Sequence, residues 1–216
     1  MNQETNIQLV EQFKTESELV MSISSMPELQ LFMNEAVELF TEYNLRLLSD
    51  AQASRFADEF KDWEYSPNIF YGDKHLGWQW KMKLMDVVTT YNFTSYAYME
   101  KIKTMKVFGH RDNVTNTVWL YDFVCEKLNE FMQQEYKAIL KSKREQSKEA
   151  ADRFCRIEAY SFKRKYLLDA IDTIREDLRR QQEVLFSKSQ SLFIHNRKAL
   201  QKFTQHEVPS VKPIYN

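Results

Sequence analysis

The stretch VTNTVWLYDFVCEKLNEFMQQEYKAI, Val114 to Ile139, decides the fold. Val118, Tyr121, Cys125, Leu128, Met132, Tyr136 and Ile139 recur at alternating intervals of three and four residues. That period lays one apolar seam along a long α-helix, and such a seam is buried by packing against another helix. The chain around it is poor in turn residues, with three glycines and four prolines in 216 residues. Average usage would supply about fifteen glycines. Many-stranded sheets need frequent turns, and phosphate-binding loops need closely spaced glycines, so both are disfavoured.

Immediately upstream, VFGHRDNVTNT (Val107 to Thr117) reads as a strand end, a glycine turn at Gly109 and a helix start with Asp112 as its cap. Before it, FTSYAYM and TMKVF flank the polar turn EKIK and form a β-hairpin, the one strand signal in the chain. Two strands alone are marginal, so the hairpin must lie on helices. WQWKMKLMDVVTTYN is apolar around most of its circumference and reads as a central helix.

Downstream, the polar stretch KSKREQSKEAADR either continues the long helix or links it to a second one. That second helix carries Phe162, Leu167, Ile171, Ile174, Leu178 and Leu185. A last amphipathic helix is expected over Ser191–Gln205, and then an extended tail, EVPSVKPIYN. Towards the N-terminus a loose stripe covers Asn6–Ser22. SMPELQLFMNEAVELFTEYNL is a helix with Ser25 as cap, Pro27 in its first turn and Asn44 at its exit. SDAQASRFADEFKDW opens a further helix on a capping box, Ser49 to Gln52.

The expected fold is therefore mostly α with one small β-hairpin (α+β), a helical assembly with two or three long helices. The expected organisation is an acidic N-terminal helical module over 1–64, a linker over 65–77 containing Pro67, Gly72 and Gly77, and a main domain over 78–216. Charge follows the same division. Residues 1–64 hold 4 Lys/Arg and 13 Asp/Glu, net −9, and residues 137–216 hold 18 and 10, net +8. Such polarity fits a basic surface for nucleic acid, an acidic surface for a protein partner, or two ends that neutralise each other. No apolar run reaches the ~18 residues of a membrane span. The opening residues show no signal-peptide pattern, and two distant cysteines make no disulfide framework, so the expected location is the cytoplasm.

Chemistry-bearing motifs are few. His110-Arg111-Asp112 matches the start of a kinase catalytic loop, but Thr117 stands where the metal-binding Asn would be. No His-Glu-x-x-His or Cys-x-x-Cys is present, and no metal or cofactor is expected. Glu35-x-x-Glu38 and Glu59-x-x-Asp62 resemble the Mg²⁺ motif of all-α nucleotide pyrophosphohydrolases, which makes that activity an outside possibility. Helical geometry places Glu35, Glu38 and Glu42 opposite the apolar face of Phe32, Ala36, Phe40 and Tyr43, as a solvated face. Asp169, Asp172 and Glu176 likewise oppose their helix's stripe, with Lys165, Arg179 and Arg180 in pairing reach. No catalytic residue is assigned.

Binding residues are more plausible. Lys163, Arg164 and Lys165, then Arg175, Arg179 and Arg180, fall on consecutive helical segments, with Tyr160, Phe162 and Tyr166 among them. Cations there would neutralise phosphates, and exposed rings would stack on unpaired bases. His110 and Arg111, at a helix start, form a candidate anion site.

One resemblance spans about two thirds of the chain. KLMDVVTTYNF after Trp80, the segment VFGHRDNVTNTVWLYDFV, and YSFKRKYLLDAIDTIREDL resemble an uncharacterised domain family common in phage and bacterial proteins. MNEAVELFTEYNL, Met33 to Leu45, is similar to the end of a small helical domain that precedes it there. The family has no established activity or catalytic residues. The resemblance implies a non-enzymatic accessory protein of a phage or mobile element, in the host cytoplasm if phage-encoded. The expected partner is single- or double-stranded nucleic acid, bound through the basic C-terminal half. The alternative is a protein-interaction module that engages a second copy or a host protein.

Overall fold

In a computed structural model the described residues are 23–53, 62–71 and 76–207. The expected helix over Asn6–Ser22, the residues carrying Phe56 and Phe60, and the proline-bearing tail lie outside them. Five helices and four strands are seen: α1 (Met26–Ala53), β1 (Trp63–Tyr65), β2 (Ile69–Phe70), α2 (Gln79–Tyr91), β3 (Ser95–Met99), β4 (Thr104–His110), α3 (Arg111–Gln146), α4 (Lys148–Arg153) and α5 (Ala159–Glu207). The fold is mostly α with a small antiparallel sheet, and α1, α3 and α5 are the long helices.

α1, α2, α3 and α5 share one core. Leu29, Met33 and Phe40 of α1 join Leu84 and Met85 of α2 and Leu120, Val124, Leu128 and Met132 of α3. Leu167, Ile171, Ile174 and Leu178 of α5 complete it. The seam read from Val114 to Ile139 thus finds several partner helices. Of the seam residues Tyr121, Leu128 and Met132 are buried, Val118 and Cys125 are half-buried at the edge of the core, and α3 has no buried residue beyond Met132. α1 runs antiparallel to α3. Phe32 stacks edge-on against Phe123 at 5.3 Å, and a turn or more away Asn44 meets Asn113.

Two sequence boundaries on α1 are overturned. Asn44 does not end the helix, and the Ser49–Gln52 capping box lies inside it, since the helical backbone continues to Ala53. Asn44 is buried, and its amide donates to the Phe40 carbonyl at 2.8 Å and to Asn113 Oδ1 at 3.2 Å. Asn113 Nδ2 returns a bond to Asn44 Oδ1 at 2.8 Å. A residue favoured at helix exits is retained mid-helix because a second amide satisfies it. Similarly, α5 continues through the expected break before Ser191.

The sheet has twice the expected number of strands. The hairpin forms as read, with Met99 opposite Thr104 around a short 3₁₀ turn. β1 and β2 then pair antiparallel along the other edge of β4. Their registers differ by one residue: Tyr65 faces Phe108, but Ile69 faces Met105. Trp63 to Phe70 is therefore one edge strand with a bulge at Pro67, which has no N–H to give a ladder. The Ser66 hydroxyl accepts the Val107 N–H at 2.9 Å and spans the gap. Tyr65, Ile69 and Phe70 of the expected linker thus belong to the sheet.

One face of the sheet, through Tyr96, Met105 and Val107, belongs to the helical core. The other face carries Phe108, packed with Leu200 and Phe203 from the far end of α5 and with Trp63 and Tyr65. Gly109 joins β4 to α3 with φ +152°, where a side chain is strained. An added Cβ would also meet Thr94 Cγ2 at 3.2 Å. Asn113→Ala should destabilise the protein by about 1–3 kcal/mol in urea unfolding, because it leaves the buried Asn44 Oδ1 without its donor. The Asn44→Ala/Asn113→Ala double variant should cost less than the sum of the single changes. Additive losses would show that the two amides do not act as a pair.

Candidate functional site

The six cations singled out on the second long helix do not form one free surface. Lys163 Nζ sits 4.0 Å from the Tyr136 ring centroid, turned towards α3. Arg164 donates to Gln79 Oε1 on α2. Lys165 pairs with Asp169. Arg175 lies 3.8 Å from Asp172, which is shared with Lys83 at 2.6 Å, and Arg179 lies 3.1 Å from Glu176. Arg180 is exposed, with no described carboxylate in pairing range. The acidic residues expected to be surface salt-bridge partners have that role, and they mask the cations among them.

Charge neutralisation by the acidic N-terminal helix is not seen among the described residues. Glu35, Glu38 and Glu42 are exposed and form no ion pair there. α1 meets α5 through neutral groups instead. Asn34 Nδ2 donates to Asp177 Oδ2 at 3.1 Å, and Gln181 Nε2 donates to the Asn34 carbonyl at 2.9 Å.

The free positive charge is further out. At Ser147 the backbone is extended and its hydroxyl accepts the Ala150 N–H at 3.0 Å, which ends α3 and starts α4. The chain folds back on itself as a helical hairpin. Its outer part, from Gln133 to the turn and back to Tyr166, is an arm about 20 Å long. One ring contact crosses the hairpin and two run along its returning side. Tyr136 stacks on Phe154 at 5.7 Å, Phe154 meets Phe162 at 6.1 Å, and Phe162 meets Tyr166 at 6.2 Å. Phe162 and Tyr166 are thus spent on the arm's own packing, whereas Tyr160 is 51% exposed.

The arm holds ten Lys/Arg against five Asp/Glu over residues 133–166. Lys137, Lys141, Lys143, Arg144 and Lys148 have no carboxylate in pairing range among the described residues. Lys137, Lys141 and Arg144 are spaced i, i+4, i+7 and share one face of α3. That spacing was the signal in the sequence. What sequence could not show is that the neighbouring segment's cations are paired and these are not.

The helix start at Arg111 differs from the expected anion cradle. His110, not Asp112, occupies the N-cap position, and its imidazole makes no capping bond. Asp112 lies within the first turn, 3.8 Å from His110 Nδ1. The Arg111 N–H is given to the Asp62 carbonyl at 2.8 Å, and the Arg111 side chain lies 3.3 Å from Glu64. The Arg111 side chain is thus matched to the Glu64 carboxylate, which an incoming anion would have to displace. Burial holds the His110 pKa below its ordinary value of 6.5, against the pull of Asp112 and Asp62. The contact with Asp112 is therefore not an ion pair at neutral pH.

Among the described residues no arrangement for nucleophilic or metal chemistry emerges. Burial pushes the Cys125 thiol up to about 12, so it stays protonated. Among the described residues no group of three His, Cys, Asp or Glu side chains is placed to hold a metal ion. Glu59 lies outside the described residues and Asp62 is exposed. No described helix is long and apolar enough to cross a membrane. No family model, curated protein or solved structure matches the chain.

The depressed His110 pKa gives a prediction with a definite sign. The unfolded chain binds this proton more readily, so stability should fall as pH drops below about 6.5 and level off below the folded pKa. The slope from one group is at most about 1.4 kcal/mol per pH unit. Chemical denaturation of the protein and His110→Asn at pH 7.5 and 5 isolates this term. Identical pH dependence in both would contradict it.

Proposed function

We propose that the protein is a non-enzymatic accessory protein that binds nucleic acid through its helical-hairpin arm. The observation supporting this is the unpaired stripe of Lys137, Lys141 and Arg144 on a projecting element with twice as many cations as carboxylates. A polyanion would gain from such a stripe by releasing condensed counterions. The paired cations Arg175 and Arg179 contribute less, because a phosphate must first displace their carboxylates. The role in a phage or mobile element implied by the family resemblance is part of the proposal and rests on that resemblance alone.

A second reading, docking of a protein or a second copy, is supported by the outer face of α1. Glu28, Leu31, Glu35, Glu38 and Glu42 are all exposed at seam-like intervals of three and four residues, with Leu31 60% exposed.

One experiment separates them. Fluorescence anisotropy of labelled oligonucleotides at about 50 mM salt should show binding. Lys137→Ala/Lys141→Ala/Arg144→Ala should weaken it at least about tenfold, while Arg175→Ala/Arg179→Ala should weaken it less than about threefold. Equal effects of the two sets would contradict the assignment to the arm. Absence of binding, together with a dimer in light scattering, would transfer the case to the second reading.

A further inference from the structure

The base of the arm carries a feature that charge alone does not explain. Ile157, Tyr160 and Trp78 are exposed by 69, 51 and 40%, and exposed apolar side chains carry information when they fall together rather than singly. Two of them come from distant parts of the chain. Trp78 follows Gly77, and a methyl group added at Gly77 would lie 3.9 Å from the Tyr160 hydroxyl. Gly77 has φ +74°, a left-handed conformation that sets the direction of Trp78 at the head of α2. The buried ring of Tyr71 lies 6.0 Å from that of Trp78, tilted by 57°.

The helix leading to Tyr160 is locally widened. Between α4 and α5 the Ala159 N–H bonds to the Phe154 carbonyl, five residues back, in a π-turn over Phe154–Glu158. The widened turn lets Phe154 point into the arm while Cys155 to Glu158 all stay exposed. Such turns are rare, and they occur often at functional sites. Cations flank the rings. Arg164 is one turn after Tyr160 and bonds to Gln79, so it stands beside the first turn of α2. That turn has no acidic residue, and Trp78 has no side-chain acceptor to cap it. Arg156, one turn before Tyr160, has only an exposed contact of 3.8 Å with Asp152. Such a contact exchanges readily for a phosphate.

We infer that the base of the arm is a platform for single-stranded nucleic acid, with Trp78 and Tyr160 stacking on unpaired bases and Arg156 and Arg164 holding the adjacent phosphates. This rests on the nucleic-acid reading above and narrows it. A duplex keeps its base faces covered and would use the arm's charges alone, whereas a single strand offers both charge and rings.

The test measures a labelled oligothymidylate of about twenty nucleotides and a duplex of the same length against four proteins at about 50 mM salt. These are the full chain, Trp78→Ala/Tyr160→Ala, Tyr160→Phe, and Trp78→Phe, each checked for a native circular dichroism spectrum. The double variant should lose at least about tenfold on the single strand and less than about twofold on the duplex. Tyr160→Phe should bind as the parent does, because stacking needs the ring and not the hydroxyl. Oligothymidylate should quench tryptophan emission, and Trp78→Phe should remove most of that quenching. Equal losses on strand and duplex, or no loss, would overturn the platform and leave the arm reading standing. If the parent protein binds neither form, both fall.

Discussion

The architecture depends on one residue, Ser147, whose extended backbone interrupts helix that otherwise runs almost unbroken from Arg111 to Glu207. An uninterrupted helix of that length would be about 145 Å long and could not bring its second half onto its first. With the break, α5 returns along α3 and supplies Leu167, Ile171, Ile174 and Leu178 to the core that α1 and α2 also enter. Ser147 is neither glycine nor proline. Its N–H bonds back to the Lys143 carbonyl at 3.0 Å and its side chain caps the next helix, so one small polar residue both ends and starts a helix.

At the opposite end of the bundle, where sheet and helices join, the fold relies on polar complementarity. Asn44 and Asn113 exchange hydrogen bonds while buried, and the hydroxyls of Thr94 and Thr117 meet at 3.1 Å beside Gly109. Apolar packing sets no unique register for long helices, which can slide by a turn at modest cost. A buried amide pair does, because any slip breaks both hydrogen bonds that the two amides exchange. α1, which contains a capping motif at Ser49 and a helix-ending residue at Asn44, is held in one alignment by that pair.

Signals that repeat along the chain were legible in the sequence. The three-and-four spacing from Val118 to Ile139 revealed α3, the alternation of FTSYAYM and TMKVF revealed the hairpin, and helical geometry placed Asp169, Asp172 and Glu176 among surface pairs. Signals that depend on a single residue were misleading. Pro67 resembled a linker because a bulge and a boundary both accommodate a residue without an N–H. Trp63 resembled the end of a helix because its partner, Phe203, lies 140 positions away in the sequence. The cations were legible as a group but not individually. Whether Lys163 meets a ring, Arg175 a carboxylate, or Arg144 no described carboxylate is decided by neighbours that only the folded chain brings together.

The proposed function turns on a division of charge: Lys165, Arg175 and Arg179 of α5 are neutralised locally, whereas Lys137, Lys141 and Arg144 on the arm have no described carboxylate partner and are proposed to meet phosphates. The slope of log affinity against log salt for a single-stranded oligonucleotide tests it most directly, since each phosphate contact contributes about 0.7 to that slope. Removing Lys137, Lys141 and Arg144 together should flatten the slope by about two. A slope unchanged by their loss would show that the arm's cations do not meet the phosphates and would contradict the account.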